Sequence, residues 1–379
     1  MRLNWKFMRY YIISGEASGD LHGSNLIKKL VQLDVDADVR CWGGNLMEAA
    51  GANVVKHYRD LAFMGFIEVI SNLPTIIKNL AYCKKDIVEY NPDVLILIDY
   101  PGFNLRIAKW AKKKGLKVIY YISPQVWAWK EKRVNIIKKY VDKMLVILPF
   151  EKDFYEKWNY KADYVGHPLV EVVKSFLEEK EQKGNVFSAD KKIIALLPGS
   201  RKQEILKKLP IMLEVTKKFT EYQFVVAKAP GLDEAFYRQM LEPYGNVTSG
   251  VNQTYELLSE AYAAIVTSGT ATLETALFSV PQIICYKGNN ISYQIAKRLI
   301  SIKFIGLVNL IMDKPVVKEL IQHELTVENL SSELKLIVHD ENYRKKIQQD
   351  YDELNTLLSK GGDASMNAAN IIIDFLRQQ

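Results

Sequence analysis

The chain has 379 residues, of which 48% are hydrophobic and 25% charged, values typical of a globular protein rather than a disordered or fibrous one. Its length suits two domains of about 150–200 residues each. No apolar run approaches the roughly 20 residues needed to span a bilayer.

The residues before the first predicted strand lack the apolar core of a signal peptide, and both Met1 and Met8 are candidate starts. Three widely separated cysteines fit no disulfide or metal pattern, so a reducing cytoplasm is the expected compartment. The five histidines show no zinc spacing. We therefore expect neither a metal nor a cofactor.

The net charge of +7 lies entirely in the first half of the chain, because residues 1–185 carry the whole excess and the remainder is neutral. A basic half favours an anionic partner, either nucleic acid or an anionic membrane surface. For any single lysine cluster, a solvent-exposed helix face with no binding partner is an equally good explanation of the positive charge.

Strand and helix signals alternate along the chain, and the predicted strands are short apolar runs rich in β-branched and aromatic residues. Two sets of such runs are separated by a charged stretch at 178–185. This pattern predicts two doubly wound α/β domains that face each other across a cleft, at 1–185 and 186–359, with a helix at about 360–379 expected to pack on the first. The predicted strands lie at 10–14, 39–42, 94–98, 118–122, 144–148, 164–165, 193–197, 223–227, 263–266 and 282–285.

The loop after the first strand, SGEASGD at 14–20, matches neither a dinucleotide-binding fingerprint nor a P-loop. Its glycines are expected to let a substrate approach the backbone closely. Asp20 either caps the following helix or serves the site. The candidate substrate-binding residues of this loop are Ser14, Gly15, Glu16 and Gly19.

The segment at 64–77 is apolar with little polar face. A buried helix and an exposed patch that dips into a bilayer are both consistent with it, and the basic first half favours the patch. The candidate membrane residues are Met64, Phe66, Ile67, Val69, Ile70 and Leu73.

Asp99 ends the apolar run at 94–98, which places a carboxylate at the carboxyl edge of a central strand. Such a group should have a raised pKa and suit proton abstraction, although an Asp in a loop before a helix capped by Asn104 is the alternative. Trp127 follows the next strand and either stacks on a sugar, lies in the headgroup region of a membrane or packs in an inter-domain core. His167 follows a later strand and is the histidine expected to face the cleft.

Two small-residue turns in the second half follow predicted strands: PGSR at 198–201 and TSGTATLE at 267–274. Unpaired N–H groups at such turns, together with the helix dipole, form binding sites for phosphate. Close packing of the helix on its sheet also explains the second turn. The candidate residues for binding a nucleotide diphosphate are Gly199, Ser200, Arg201, Ser268, Gly269, Thr270 and, for ribose, Glu274.

Taken in order, these motifs resemble the lipid-A-disaccharide synthase family of Gram-negative bacteria over nearly all of residues 8–379. The motifs that carry the resemblance are SGEASGD at 14–20, MGFIEV at 64–69, ID-x-P-x-FN at 98–104, SP-x-VWAW at 123–129, LPFE at 148–151, VGHP at 165–168, LPGSR at 197–201 and SGTATLE at 268–274.

The resemblance implies a GT-B glycosyltransferase of two Rossmann-like domains, with the acceptor on the first and the donor on the second. The implied reaction joins UDP-2,3-diacylglucosamine to 2,3-diacylglucosamine 1-phosphate with inversion and without a metal. It implies Asp99 as base, Arg201 and the 268–270 turn on the diphosphate, Glu274 on ribose, and Asn309 near the donor.

Because both substrates carry acyl chains and phosphate, the resemblance implies that the enzyme acts at the inner face of the inner membrane. A homodimer is also compatible with the family. Another GT-B enzyme, such as a UDP-sugar epimerase or a peptidoglycan glycosyltransferase, is the alternative enzyme class. A nucleic-acid-binding protein is disfavoured, because no recognition module is present in the sequence.

Overall fold

A computed structural model describes residues 8–61, 73–129, 131–182, 184–187, 190–229, 231–289, 293–294 and 303–378. The chain forms two compact units, which are Met1–Pro168 with Lys360–Gln379, and Leu169–Ser359. Each unit is built on one parallel β-sheet.

The first unit holds a seven-stranded parallel sheet in the order β3-β2-β1-β4-β5-β6-β7. All five residues of β4 are buried, as expected of a central strand covered by helices on both faces. The strands are β1 (Arg9–Ile13), β2 (Asp38–Gly43), β3 (Asn53–His57), β4 (Val94–Ile98), β5 (Val118–Tyr121), β6 (Lys143–Val146) and β7 (Ala162–Tyr164).

Helices connect these strands, and a partly buried ion pair between Arg40 and Asp86 holds one of them against the sheet. Asp86 on the helix before β4 accepts hydrogen bonds from Arg40 Nε at 2.9 Å and from the Tyr11 hydroxyl at 2.6 Å. The helices are α1 (Ala17–Leu33), α2 (Asn45–Ala49), α3 (Leu73–Tyr90), α4 (Pro101–Lys113), α5 (Val126–Trp129), α6 (Val134–Tyr140) and α7 (Pro149–Lys157).

The second unit holds a six-stranded parallel sheet in the order β10-β9-β8-β11-β12-β13. Its strands are β8 (Ile193–Leu197), β9 (Gln223–Lys228), β10 (Val247–Val251), β11 (Ala261–Thr267), β12 (Gln282–Tyr286) and β13 (Glu319–Ile321). Its helices are α8 (Pro168–Lys180), α9 (Lys202–Thr216), α10 (Glu234–Leu241), α11 (Thr254–Glu260), α12 (Thr270–Leu277), α13 (Leu307–Met312), α14 (Val327–His339) and α15 (Glu341–Ser359).

Helix α16 (Ala364–Arg377) returns to the first unit and packs on α1. Lys29 Nζ lies 2.8 Å from Asp363 Oδ2 just before α16 begins. Gly166 and Gly361 come so close that a Cβ on Gly361 would lie 2.2 Å from the Cα of Gly166. The chain therefore passes through this point only because both residues lack side chains.

The two units divide between Pro168 and Leu169, whereas the sequence analysis divides the chain after residue 185. The difference is α8, whose contacts are with the second unit. Lys180 Nζ lies 3.0 Å from Glu260 Oε1, and the ring of Phe176 meets that of Tyr255 edge-on with centroids 5.5 Å apart. A helix joining two domains belongs to the one that buries its apolar face, and sequence periodicity does not say which that is.

Asp20 corrects one expectation, because it does not cap the helix that follows its loop. It lies inside α1, is 3% exposed, and its carboxylate reaches the start of α2 instead. The backbone N–H groups of Gly44, Leu46 and Met47 donate to it at 2.8, 3.2 and 3.1 Å. Asp20 therefore satisfies the otherwise unpaired N–H groups of a helix distant in sequence.

We expect Asp20→Ala to lower the free energy of unfolding of the first unit by about 2–3 kcal/mol, because three N–H groups at the start of α2 lose their acceptor. Denaturant unfolding followed by circular dichroism measures this loss. Asp36→Ala, at an exposed turn position, is the matched control and should change little. Equal stability of both variants would contradict the capping role.

Candidate active site

Five strands of the first sheet end beside one another, and each is followed by a predicted site residue or motif. Ser14 follows β1, Asp99 follows β4, Trp127 follows β5, the LPFE motif follows β6 and His167 follows β7. These strands are consecutive neighbours in a parallel sheet, so their carboxyl ends lie along one edge. Ligands of doubly wound sheets bind at this edge.

Asp99 has a backbone conformation that an ordinary residue rarely adopts, with φ of 42°, and Tyr100 follows with φ of 49°. Left-handed conformations in succession cost energy, so the surroundings must hold them. The carbonyl of Asp99 accepts hydrogen bonds from the Tyr120 hydroxyl at 2.5 Å and from Asn104 Nδ2 at 2.8 Å. Asn104 thus lies inside α4 and fixes the Asp99 backbone, rather than capping the helix.

The carboxyl group of Asp99 is tuned for proton transfer near neutral pH. Burial, and after it the negative charge of Glu16, raise its pKa to about 7, while the backbone N–H of Tyr100 opposes both effects. The residue keeps partial solvent exposure. A partly accessible carboxyl with this pKa is suited to act as a general base.

The glycines of the 14–20 loop have protein side chains in the space beside them, and a close approach of substrate to their backbone stays a prediction. A Cβ on Gly15 would lie 2.4 Å from the ring of Tyr100, and one on Gly19 would lie 2.8 Å from the Cβ of Ser14. Ser14 is itself buried and donates to the carbonyl of Trp42 at 3.4 Å. These glycines allow the loop, α1 and the Asp99 turn to pack closely.

Glu151 is a buried carboxylate at this edge for which the sequence analysis proposes no role. It is 1% exposed, and its Oε1 accepts the indole N–H of Trp127 at 3.1 Å while its Oε2 accepts the N–H of Leu148 at 3.0 Å. Burial raises its pKa to about 7. The one sequence signal was a Glu three residues after the helix-capping position, which predicts a cap but not the contact with Trp127.

His167 follows β7 and is a buried group, and its position facing the cleft stays a prediction. Its side chain is 3% exposed. Burial and the neighbouring His22 lower its pKa to about 3, so the imidazole is neutral at physiological pH. A neutral ring of this kind holds no net charge to offer an anionic substrate.

Of the predicted membrane residues, Met64, Phe66, Ile67, Val69 and Ile70 lie outside the described residues. Leu73 begins α3, and the following turns of that helix carry exposed apolar side chains. Ile77 is 58% exposed and Val88 is 60% exposed. No helix within the described ranges is long and apolar enough to cross a membrane.

The two glycine turns of the second unit lie at neighbouring strand ends, because β8 pairs with β11 and Leu197 is the partner of Val266. Gly199 has φ of 112° and Gly269 has φ of 151°, both in the region that favours glycine. Apart from its own neighbours along the chain, none of the described residues comes within 4 Å of a Cβ placed on Gly269, so they leave the approach to the start of α12 open. Thr270 and Ser200 flank these turns.

Glu274 lies one turn into α12 and is partly exposed. The hydroxyl of Tyr255 donates to its Oε1 at 2.8 Å, and burial raises its pKa while that hydrogen bond opposes the rise. Ser268 donates to the carbonyl of Ile305 at 3.1 Å and thereby ties the turn to the loop before α13.

Asn309 is 1% exposed, and its amide is used within the protein. Its Nδ2 donates to the carbonyl of Val317 at 2.8 Å and to Glu319 Oε1 at 2.9 Å, and its Oδ1 accepts from the N–H of Val317 at 3.0 Å. These bonds hold α13 against the segment around β13. The amide of Asn309 therefore has a structural role here, and its expected contact with the donor stays a prediction. Among the described residues, no cluster of three acidic, Cys or His side chains could hold a metal.

Two parallel α/β units with glycine turns at the carboxyl ends of their strands define the GT-B class of proteins. UDP-GlcNAc 2-epimerase from Neisseria meningitidis, bound to UDP-GlcNAc, aligns with a TM-score of 0.66 at 13% identity over 98% of this chain and 100% of its own. The calicheamicin glycosyltransferase CalG4 aligns with a TM-score of 0.62 at 16% identity over 99% of each chain. At these identities the likeness shows the fold alone.

Sequence comparison identifies the family. The profile of the lipid-A-disaccharide synthetase family matches residues 10–372. The chain is 38% identical to the lipid-A-disaccharide synthase of Geobacter metallireducens over 97% of both chains, and 40% identical to that of Syntrophus aciditrophicus over 94% of this chain and 95% of the other. The chain therefore belongs to the lipid-A-disaccharide synthetase family, and it is a glycosyltransferase.

We expect Glu151→Gln to lower the free energy of unfolding by about 1–3 kcal/mol, because an amide accepts only one of the two N–H groups that the carboxylate accepts. The wild type should also lose stability through this group as the pH rises from 4.5 to about 7, since its pKa is raised in the folded state. Glu151→Gln should lack that pH dependence. Denaturant unfolding at several pH values measures both effects.

Trp127→Phe provides the control, because it removes the indole N–H and leaves the Leu148 contact intact. The double variant should then lose less stability than the sum of the two single losses. Strict additivity would mean that Glu151 and Trp127 do not interact.

Proposed function

We propose a division of roles for the reaction in which UDP-2,3-diacylglucosamine and 2,3-diacylglucosamine 1-phosphate give the β-1,6-linked disaccharide 1-phosphate and UDP. Membership of the family supports this reaction. Asp99 carries the proposal for the catalytic step, because among the described residues it alone combines a strained, fixed backbone with a carboxyl group of pKa about 7 at the carboxyl edge of the first sheet.

The carboxylate of Asp99 takes the proton from the acceptor's 6-hydroxyl as that oxygen bonds to the anomeric carbon of the donor sugar. The bond from the anomeric carbon to the β-phosphate oxygen breaks with both its electrons, and UDP departs. A single displacement of this kind inverts the anomeric carbon. Glu16, whose charge keeps the pKa of Asp99 high, and Trp127 on the neighbouring strand end complete the acceptor side.

On the donor side, charge develops on the departing diphosphate. The guanidinium of Arg201, the N–H groups of Gly269 and Thr270 and the dipole of α12 stabilise that charge. The N–H of Ser268 takes no part, because it donates to the carbonyl of Cys285 at 3.0 Å. Open space beside Gly269 admits a phosphate to the backbone. Gly199 and Ser200 form the neighbouring turn, and Glu274 accepts hydrogen bonds from the ribose hydroxyls. No catalytic step in this scheme uses a metal or a cofactor.

The direct test is UDP release in detergent micelles from the donor, with and without the acceptor. We expect release that depends on the acceptor. Turnover of plain UDP-N-acetylglucosamine without any reaction of the acylated substrates would instead favour a different GT-B enzyme.

The pH dependence of kcat/KM should follow the titration of Asp99. A general base works only when unprotonated, so kcat/KM should rise with pH and level off above an apparent pKa near 7. Asp99→Asn should lower kcat/KM by about 10²–10⁴-fold and remove this dependence. Initial rates between pH 5.5 and 9 measure both.

Glu16→Gln is the matched variant for this profile. It removes the negative charge that raises the pKa of Asp99, so the rise in rate should move to lower pH. An unchanged profile in Asp99→Asn would show that another group supplies the base.

We also propose that the first unit docks on an anionic membrane surface through α3 and the segment before it. Both substrates carry acyl chains, and the first half of the chain carries the whole net charge of +7. The outer face of α3 combines exposed Ile77 and Val88 with exposed Lys78 and Lys85. Apolar and basic groups together are what reversible membrane binding needs. Homodimerisation stays a prediction.

The double variant Ile77→Glu with Val88→Glu should weaken binding to phosphatidylglycerol vesicles by about tenfold or more, because it removes apolar contact and adds negative charge. Vesicle sedimentation measures the partition. Leu336→Glu, an exposed apolar position on the second unit, is the control. Equal binding by both variants would contradict docking through α3.

A further inference from the structure

Three charged side chains meet at the first turns of α9, directly after the Gly199 turn. Arg201 Nη1 lies 3.3 Å from Glu204 Oε1, and Lys208 Nζ lies 3.7 Å from Glu204 Oε2. Each oxygen of one carboxylate therefore faces a different cation. The arrangement follows from helical spacing, since positions three and four apart share a face.

Lys208 differs from the other two residues because its side chain is 3% exposed, against 36% for Glu204 and 56% for Arg201. Burial lowers the pKa of Lys208, and the charge of Glu204 opposes that effect. A buried ammonium needs an anion nearby, and Glu204 is its ion-pair partner among the described residues. The buried ammonium of Lys208 therefore restrains the Glu204 carboxylate from the protein interior.

Glu204 also closes the space beside the turn. A Cβ placed on Gly199 would lie 2.9 Å from Glu204 Oε2, so the carboxylate occupies the volume that a side chain at position 199 would need. One group thus contacts the glycine turn, the exposed guanidinium and the buried ammonium.

We propose that Glu204 is a positioning residue that holds the Arg201 guanidinium beside the Gly199 turn before the diphosphate arrives, with Lys208 fixing the second carboxylate oxygen. The inference rests on the proposed donor role of Arg201 and deepens it. An arginine side chain loses rotamer freedom when it binds a phosphate, and restraining it beforehand reduces that loss on binding.

The sign of the effect separates this role from simple electrostatics. Glu204 is a negative charge close to a site for an anion, so removing its charge should by Coulomb's law tighten the binding of UDP. If Glu204 positions Arg201, its removal should weaken the binding of UDP. The electrostatic and the positioning explanations therefore predict opposite changes in the Kd for UDP.

The experiment is isothermal titration of the full chain with UDP. Glu204→Gln should raise the Kd roughly two- to fivefold, the range that a partly exposed ion pair supports. Glu204→Asp should also raise it, because the shortened side chain keeps the charge but loses the reach to Arg201. In an Arg201→Ala background, Glu204→Gln should instead lower the Kd, since only the charge effect remains.

Glu214→Gln is the matched control, because Glu214 near the end of α9 pairs with Lys217 just after it, three residues apart like Arg201 and Glu204. It should leave the Kd unchanged. Thermal unfolding of each variant confirms that it is folded.

The outcomes are distinguishable. A wild-type chain that does not bind UDP overturns the proposed donor site and this inference with it. Wild-type binding that Glu204→Gln leaves unchanged or tightens overturns the inference alone. Weakening by Glu204→Gln that reverses in the Arg201→Ala background supports it.

Discussion

The position of the Asp99 carboxyl group in the first unit depends on two hydrogen bonds to one backbone carbonyl. Tyr120 and Asn104 both donate to the carbonyl of Asp99 and hold that residue in a left-handed conformation at the end of β4. The turn directs the carboxyl group into surroundings that raise its pKa, and the ring of Tyr100 then packs against Gly15. Because the strained turn, the raised pKa and the close glycine contact share one origin, a change in either donor would disturb all three.

The second unit uses backbone geometry where the first uses a titrating side chain. The Gly199 and Gly269 turns lie side by side because β8 and β11 are paired, and α9 and α12 begin just after them. Fixed dipoles and one guanidinium suit a group that departs with negative charge, since they need little reorganisation when the charge appears. Asn309 and Ser268 stabilise the segments around α13, because Asn309 bonds to the carbonyl of Val317 and Ser268 bonds to that of Ile305.

The strands show which parts of the fold could be read from the sequence. All ten predicted strands are present, with ends displaced by at most two residues. The three missed strands, β3, β10 and β13, are all at sheet edges and are only partly buried. These three strands lack the continuous apolar run that burial on both faces imposes on central strands, so no such pattern identified them, whereas the edge strand β7 was predicted.

The sequence by itself determined the two α/β sets, the position of Asp99 at a strand end, the glycine turns and the family, because each depends on local pattern or motif order. Only the tertiary structure decided which partners the polar groups take. Asp20 caps a distant helix, Glu151 holds Trp127, Asn309 bonds to Val317 and Glu319, and His167 is buried and neutral. These outcomes depend on side chains far apart in sequence that parallel pairing brings to one edge, and no local spacing encodes such contacts.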